Sequence, residues 1–156
     1  MPIRHAANHQ KFNNIMLLME YGADIHTHNN YVFRNSLYTD NINLTKFCID
    51  IGIDVNINNG VAIKYSLYNS SKVFDILIDH GADINYIDGY DIYNVVQNKD
   101  IALLKKLSDL GVRIDQLNFI RNNMNKWDED YTLFIFLQNN GVFDKNILFA
   151  MFNKKN

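Results

Sequence analysis

The sequence predicts an all-α chain of stacked helix–turn–helix repeats, and three observations predict it. Five of the seven glycines, Gly22, Gly52, Gly81, Gly111 and Gly141, follow one another at intervals of 30, 29, 30 and 30 residues. Leu18, Cys48, Leu77, Leu107 and Leu137 each stand four residues before a glycine. Asn14, Leu44, Val73, Leu103 and Leu133 stand four earlier still, so an apolar stripe of helical phase is broken only at Asn14. A second block, Val32 to Tyr38, aligns with Ala62 to Tyr68 and shares Ser-Leu-Tyr in register. One unit of this size cannot bury both of its faces, so successive units have to stack into a continuous core.

The elements follow in order. Each periodic glycine marks a helix end, because glycine adopts the left-handed conformation required just past a helix C-terminus. Each unit therefore reads as helix, turn, helix, glycine, loop. The units span 1–30, 31–59, 60–89, 90–117 and 118–145, and Ile147 to Ala150 suggests a terminal helix over 146–153. All belong to one domain over 1–156. The residue missing from the third unit falls after Tyr68, in the turn between helices, where length changes are absorbed most easily. Asp91 to Val96 is a third copy of the first-helix block, and Ser36, Ser66 and Val95 are small or apolar residues that allow close helix approach. The fifth unit is the least regular. Asn118 to Asp130 carries extra residues and the only tryptophan, Trp127, which predicts a longer first helix or a distorted turn.

Composition limits the function classes. With 156 residues, 47% of them hydrophobic and 21% charged, the chain has the content of one globular domain. A formal charge of −2 leaves no basic surplus for a phosphate backbone, so nucleic acid is not the expected partner. Cys48 stands alone and cannot form an intramolecular disulfide, and no apolar run reaches membrane-spanning length or opens the chain as a leader. An intracellular, cytoplasmic location is the expectation. The 24 asparagines, with abundant Ile, Tyr, Lys and Phe, read as codon bias of an AT-rich genome.

Gly22-Ala23-Asp24-Ile25-His26, Gly52-Ile53-Asp54-Val55-Asn56 and Gly81-Ala82-Asp83-Ile84-Asn85 resemble the Gly-Ala-Asp-x-Asn segment that closes an ankyrin repeat. Pro2-Ile3-Arg4-His5-Ala6-Ala7 is similar to the Thr-Pro-Leu-His-x-Ala-Ala segment that opens one. The resemblance covers essentially the whole chain, closely to about residue 115. It implies an ankyrin-type solenoid of about five helix pairs plus a terminal helix. The period of 30 is shorter than the usual ankyrin repeat of about 33 residues, so the projecting hairpins are expected to be short or absent. Tyr31-Val32-Phe33-Arg34 and Tyr90-Asp91-Ile92-Tyr93 replace the usual opening turn. In these departures the chain resembles the ankyrin proteins of giant DNA viruses of amoebae, the mimivirus type, which would place it in host cytoplasm.

That family generally binds proteins through loop tips and the exposed side of the first helices. Carried over by position, this surface includes His26, His28, Asn29, Tyr31 and Arg34 at the first junction. Asn56, Asn58, Asn59, Lys64 and Tyr65 belong to the second, and Tyr86, Asp88, Tyr90 and Tyr93 to the third. Tyrosine offers a large contact area with a polar tip, but aromatic residues at helical spacing also fill cores, and here they could occupy space left by missing hairpins. The resemblance further implies that Asn56 and Asn85 are of the kind that host enzymes hydroxylate.

Other candidates point to structure instead of chemistry. His5 and His9 are four apart and His26 and His28 form His-x-His, but no cysteine or His-Glu-x-x-His set accompanies them, so no metal is expected. Asp24, Asp54 and Asp83 repeat once per unit, which suits a turn and not two carboxylates around one substrate. No phosphate loop or nucleophile–base set is present in the sequence, so neither a catalytic role nor a cofactor is expected. The predicted function is a protein-interaction module acting as adaptor, inhibitor or decoy. The alternative is a structural or self-associating piece of a longer repeat array, whose uncapped ends would pair with copies of itself.

Overall fold

The computed structural model describes residues 2–69, 71–116 and 131–142. Its contacts group the chain into two compact units, residues 1–86 and 87–156. The irregular stretch 118–130 with Trp127 and the terminal helix expected over 146–153 lie outside the described residues.

In the first unit, α1 (Pro2–Asn8), α2 (Phe12–Glu20), α3 (Thr27–Tyr38), α4 (Ile42–Asp50), α5 (Ile57–Asn69) and α6 (Ser71–Asp79) precede a 3-10 turn, Ile84–Tyr86. α1 packs on α2, α3 on α4 and α5 on α6. The first helices α1, α3 and α5 also pack side by side, and α4 packs on α6. This is an ankyrin-type stack of helix pairs, and no strand occurs among the described residues, so no hairpin projects there. The second unit holds α7 (Gly89–Gln97), α8 (Ile101–Asp109), a 3-10 turn over Ile114–Gln116, and α9 (Tyr131–Asn139). There α7 packs on α8, and both touch the 3-10 turn.

The periodic glycines end helices as expected. After α4, the Gly52 amide donates to the Ile49 carbonyl at 2.8 Å and the Ile53 amide to the Cys48 carbonyl at 3.1 Å. The same bond pair recurs at Gly22, Gly81, Gly111 and Gly141, all with φ between 75° and 91°. This is the Schellman closure, and it places a buried apolar residue just after the glycine, such as Ile53, Val112 and Val142. The turns between paired helices close in the same way with side chains in place of glycine: Gln10, Asp40 and Lys99 have φ of 53°, 51° and 57°. The third turn is shorter, because only residue 70 separates α5 from α6 where the other pairs have three residues.

The approach to each first helix is a local surprise. His28, Asn29 and Asn30 are all left-handed, with φ of 54°, 60° and 52°, as are Asn58, Asn59 and Gly60, with φ of 54°, 56° and 69°. Three consecutive left-handed residues are costly for most side chains, at about 1–2 kcal/mol each, and asparagine and glycine tolerate them best. Part of the asparagine excess, read from composition as codon bias, is therefore used structurally. The third approach is built differently. Asp88 caps α7 by accepting from the Tyr90 and Asp91 amides, and the Asp91 carboxylate accepts from the Asp88 amide at 3.0 Å. That reciprocal box satisfies Asp91, which is buried where the preceding copies carry Val32 and Ala62.

The core is the predicted stripe. Leu44, Cys48, Val73, Leu77, Leu103, Leu107, Leu133 and Leu137 are buried, while Leu18 is only half-buried and Asn14 is exposed. The small residues Ser36, Ser66 and Val95 are buried as anticipated. Ser36 and Ser66 donate back to the Phe33 and Ile63 carbonyls, both at 2.7 Å, and the buried Thr45 hydroxyl donates to Ser36 at 2.9 Å. Thr45 occupies the position that holds Phe74 one repeat later, while Phe33 precedes Ile63 on the first helices. The bulk moves from one helix of the pair to the other, which keeps the core volume filled.

Candidate protein-docking face

The first-helix layer of residues 2–69 gathers aromatic and cationic side chains. The Arg4 guanidinium carbon lies 4.7 Å from the Tyr31 ring centroid and that of Arg34 lies 5.9 Å from it, within cation–π range. The Tyr31 hydroxyl donates to the Asn8 side-chain oxygen, and Asn35 donates to the same oxygen at 3.3 Å, so α3 is pinned to α1. Arg34 donates from Nε to the Asn29 carbonyl at 3.0 Å and from Nη2 to the His28 carbonyl at 3.1 Å. It thereby holds the left-handed turn and keeps its charge unneutralised by any carboxylate in these bonds. His28 and Asn29 are exposed at the loop tip, while Tyr31 and Arg34 are half-buried. His26 is exposed, with its ring nitrogen 2.9 Å from the Asn30 side-chain oxygen.

At the second junction Asn58 and Asn59 are exposed and Lys64 and Tyr65 half-buried. Asn56 serves the stack itself. Its side chain donates to the Gly81 carbonyl at 3.0 Å and accepts from the Asp83 amide at 2.8 Å, joining one repeat's loop to the next. Tyr86 is half-buried and packs over Gly60, where a methyl group would lie 2.5 Å from three of its side-chain carbons. In the second unit Tyr90 is 65% exposed, Tyr93 is half-buried and Asp88 is the α7 cap. Tyr86 therefore has the space-filling role weighed for the tyrosines, whereas Tyr90 is presented to solvent. Arg4 was not among the expected residues, yet its position is readable from the period that gives 4, 34 and 64.

The remaining candidates resolve into turn structure. Asp24, Asp54 and Asp83 accept from the amides of His26, Asn56 and Asn85 at 2.8, 2.9 and 2.9 Å, the turn role expected of them. In the fourth unit Arg113 stands at the aspartate position and pairs with Asp115, two residues on, at 2.8 Å. The Arg113 guanidinium holds the Asp115 carboxyl below its usual range, mainly through that hydrogen bond. The His5 and His9 rings lie 4.4 Å apart, but His28 turns to Thr27 and His26 to Asn30. No group of three candidate metal ligands occurs among the described residues. No helix among them is long and apolar enough to cross a membrane.

Comparison with known proteins gives one consistent likeness. An ankyrin repeat protein of Acanthamoeba polyphaga mimivirus is 28% identical over 127 residues, covering 81% of this chain and 41% of the relative. A second from the same virus is 24% identical over 78% of this chain and 33% of its own length. A third is 30% identical over 60% of this chain and 21% of its own. The chain thus spans less than half the length of these curated relatives. No family model matches, and no solved structure matches.

Proposed function

We propose that this chain, an ankyrin-type repeat array similar to the mimivirus ankyrin proteins, docks on another protein and acts as an adaptor, inhibitor or decoy. The observation that carries the reading is the Arg4, Tyr31 and Arg34 cluster on stacked first helices, flanked by exposed asparagine loop tips. Arg and Tyr are the residue types on which binding energy concentrates. Helices already locked by packing lose little entropy when a partner settles on them. The role is non-enzymatic. Affinity capture from an amoebal lysate, repeated with Tyr65→Ala, tests it: the bound set should shrink while circular dichroism stays unchanged. A bound set indifferent to the substitution would reject this face.

A second reading, association with copies of itself, draws on one feature. A groove of about 570 Å³ beside α1 and α2 is lined by Pro2, Ala6, Leu17 and Leu18 among others, and Leu17 is 51% exposed. Light scattering over a concentration series separates the two, since docking on a different protein leaves the chain monomeric throughout.

A further inference from the structure

Of the five histidines, three spend a ring nitrogen on a neighbour. His26 lies 2.9 Å from the Asn30 side-chain oxygen, His28 2.9 Å from the Thr27 hydroxyl and His80 2.7 Å from the Ile76 carbonyl. His5 and His9 differ. Both are exposed, and neither ring has a hydrogen-bond partner among the described residues. Instead the rings face each other with centroids 4.4 Å apart and planes inclined by 58°. They stand four residues apart at the end of α1, where the His9 amide still donates to the His5 carbonyl at 3.2 Å, so both side chains leave one face of the helix. Aromatic pairs ordinarily keep their centroids about 4.5–7 Å apart, and this pair is slightly closer than that. Two imidazoles held at a right angle by one ion, through nitrogens about 2.0–2.1 Å from it, have centroids about 4.5 Å apart. A tetrahedral angle opens that separation to about 5.2 Å. The spacing in α1 fits the right-angle case.

We infer that His5 and His9 form a two-imidazole site for a divalent transition-metal ion that takes right-angle positions, of the Ni(II) and Cu(II) class. The inference stands apart from the docking face proposed above. Residue spacing offered no third ligand, and no group of three candidate ligands occurs among the described residues. The ion is therefore an exchangeable one, not a closed structural centre. Imidazole suits Ni(II), Cu(II) and Zn(II), whereas Mg(II) prefers oxygen, and the right angle favours the first two over tetrahedral Zn(II). Both histidines line the groove beside α1 and α2, which leaves the remaining positions of the ion open to water or to a donor from outside. Nearby cations oppose binding only weakly. The Arg4 guanidinium is drawn over the Tyr31 ring, and the exposed Lys11 ammonium, also in the groove lining, is screened by salt.

Calorimetric titration of the whole untagged chain with Ni(II), and separately with Mg(II), tests this at about pH 7.5, where an ordinary histidine is neutral. Ni(II) should bind as one ion per chain, and Mg(II) should not bind. His5→Gln and His9→Gln should each weaken Ni(II) binding about tenfold or more, because the second imidazole acts at a high effective concentration once the first has bound. His28→Gln and His80→Gln each remove an imidazole elsewhere and should change the affinity less than about twofold. An ion held by both rings also ties the turn between them. The His9 amide should therefore exchange about a hundredfold more slowly when free Ni(II) stands at about a hundred times its dissociation constant, and His5→Gln should abolish that slowing. Thermal melts without metal confirm that the four variants fold. Absence of Ni(II) binding, weakening by His28→Gln or His80→Gln equal to that by His9→Gln, or a His9 amide indifferent to bound Ni(II) overturns the inference.

Discussion

Cys48 illustrates how one residue reports on the whole packing. It occupies the stripe position that holds leucine at 77, 107 and 137, and it is fully buried. Burial alone pushes the thiol from its ordinary 9.0 up to about 12, because the thiolate would sit among apolar side chains. The folded chain therefore keeps a proton that the unfolded chain releases, so stability is undiminished below pH 9 and falls as pH rises from there toward 12. At pH 8 a thiol reagent should label native Cys48 only as fast as the surrounding helices open, and labelling should become immediate in urea. Rapid labelling of the native chain would contradict the packing of α4. Asn56 is the polar counterpart, since its two bonds to the next loop account for the residue type without any appeal to a partner.

At the scale of the element, the left-handed positions divide into three kinds with different expected costs. Gly52 has open space around it, so Gly52→Ala carries only the backbone penalty and should cost about 1 kcal/mol. Gly60→Ala adds a collision with Tyr86 to that penalty and should cost about 3 kcal/mol. Lys99 is exposed and left-handed at the end of α7, so Lys99→Gly should stabilise by about 0.5–1 kcal/mol. Urea denaturation of the three variants gives the ordering directly. A loss of stability in Lys99→Gly would mean that the turn is held by its side chain and not strained by it. The caps were only partly legible beforehand. Asn41 and Asp100 accept from the Leu44 and Leu103 amides, as their residue types suggest, while Lys11 at the same position makes no such bond.

Across the molecule, cohesion comes from neighbour on neighbour. In such arrays stability is close to a sum of repeat and interface contributions, so the helix that buries fewest side chains opens first. α2 buries only Ile15, whereas α4 buries Leu44, Thr45 and Cys48. Amide exchange in α2 should accordingly run roughly tenfold faster or more than in α4, a difference of about 1.4 kcal/mol in opening. Equal protection in the two helices would show that the first unit opens as a single block.

By itself the sequence determined the repeat, its period, the helix ends and the buried stripe, since each depends on residue types a few positions apart along one helix. Glycine past a helix end and leucines four residues apart have the same consequence whatever surrounds them. Tertiary structure alone decided which surface residues stay exposed. Tyr86 is consumed against Gly60 and Asn56 against the next loop, while Tyr90 stays open. Those outcomes depend on what the adjoining repeat presents across the gap, a relation between residues some 25 to 30 apart that spacing within one helix does not encode.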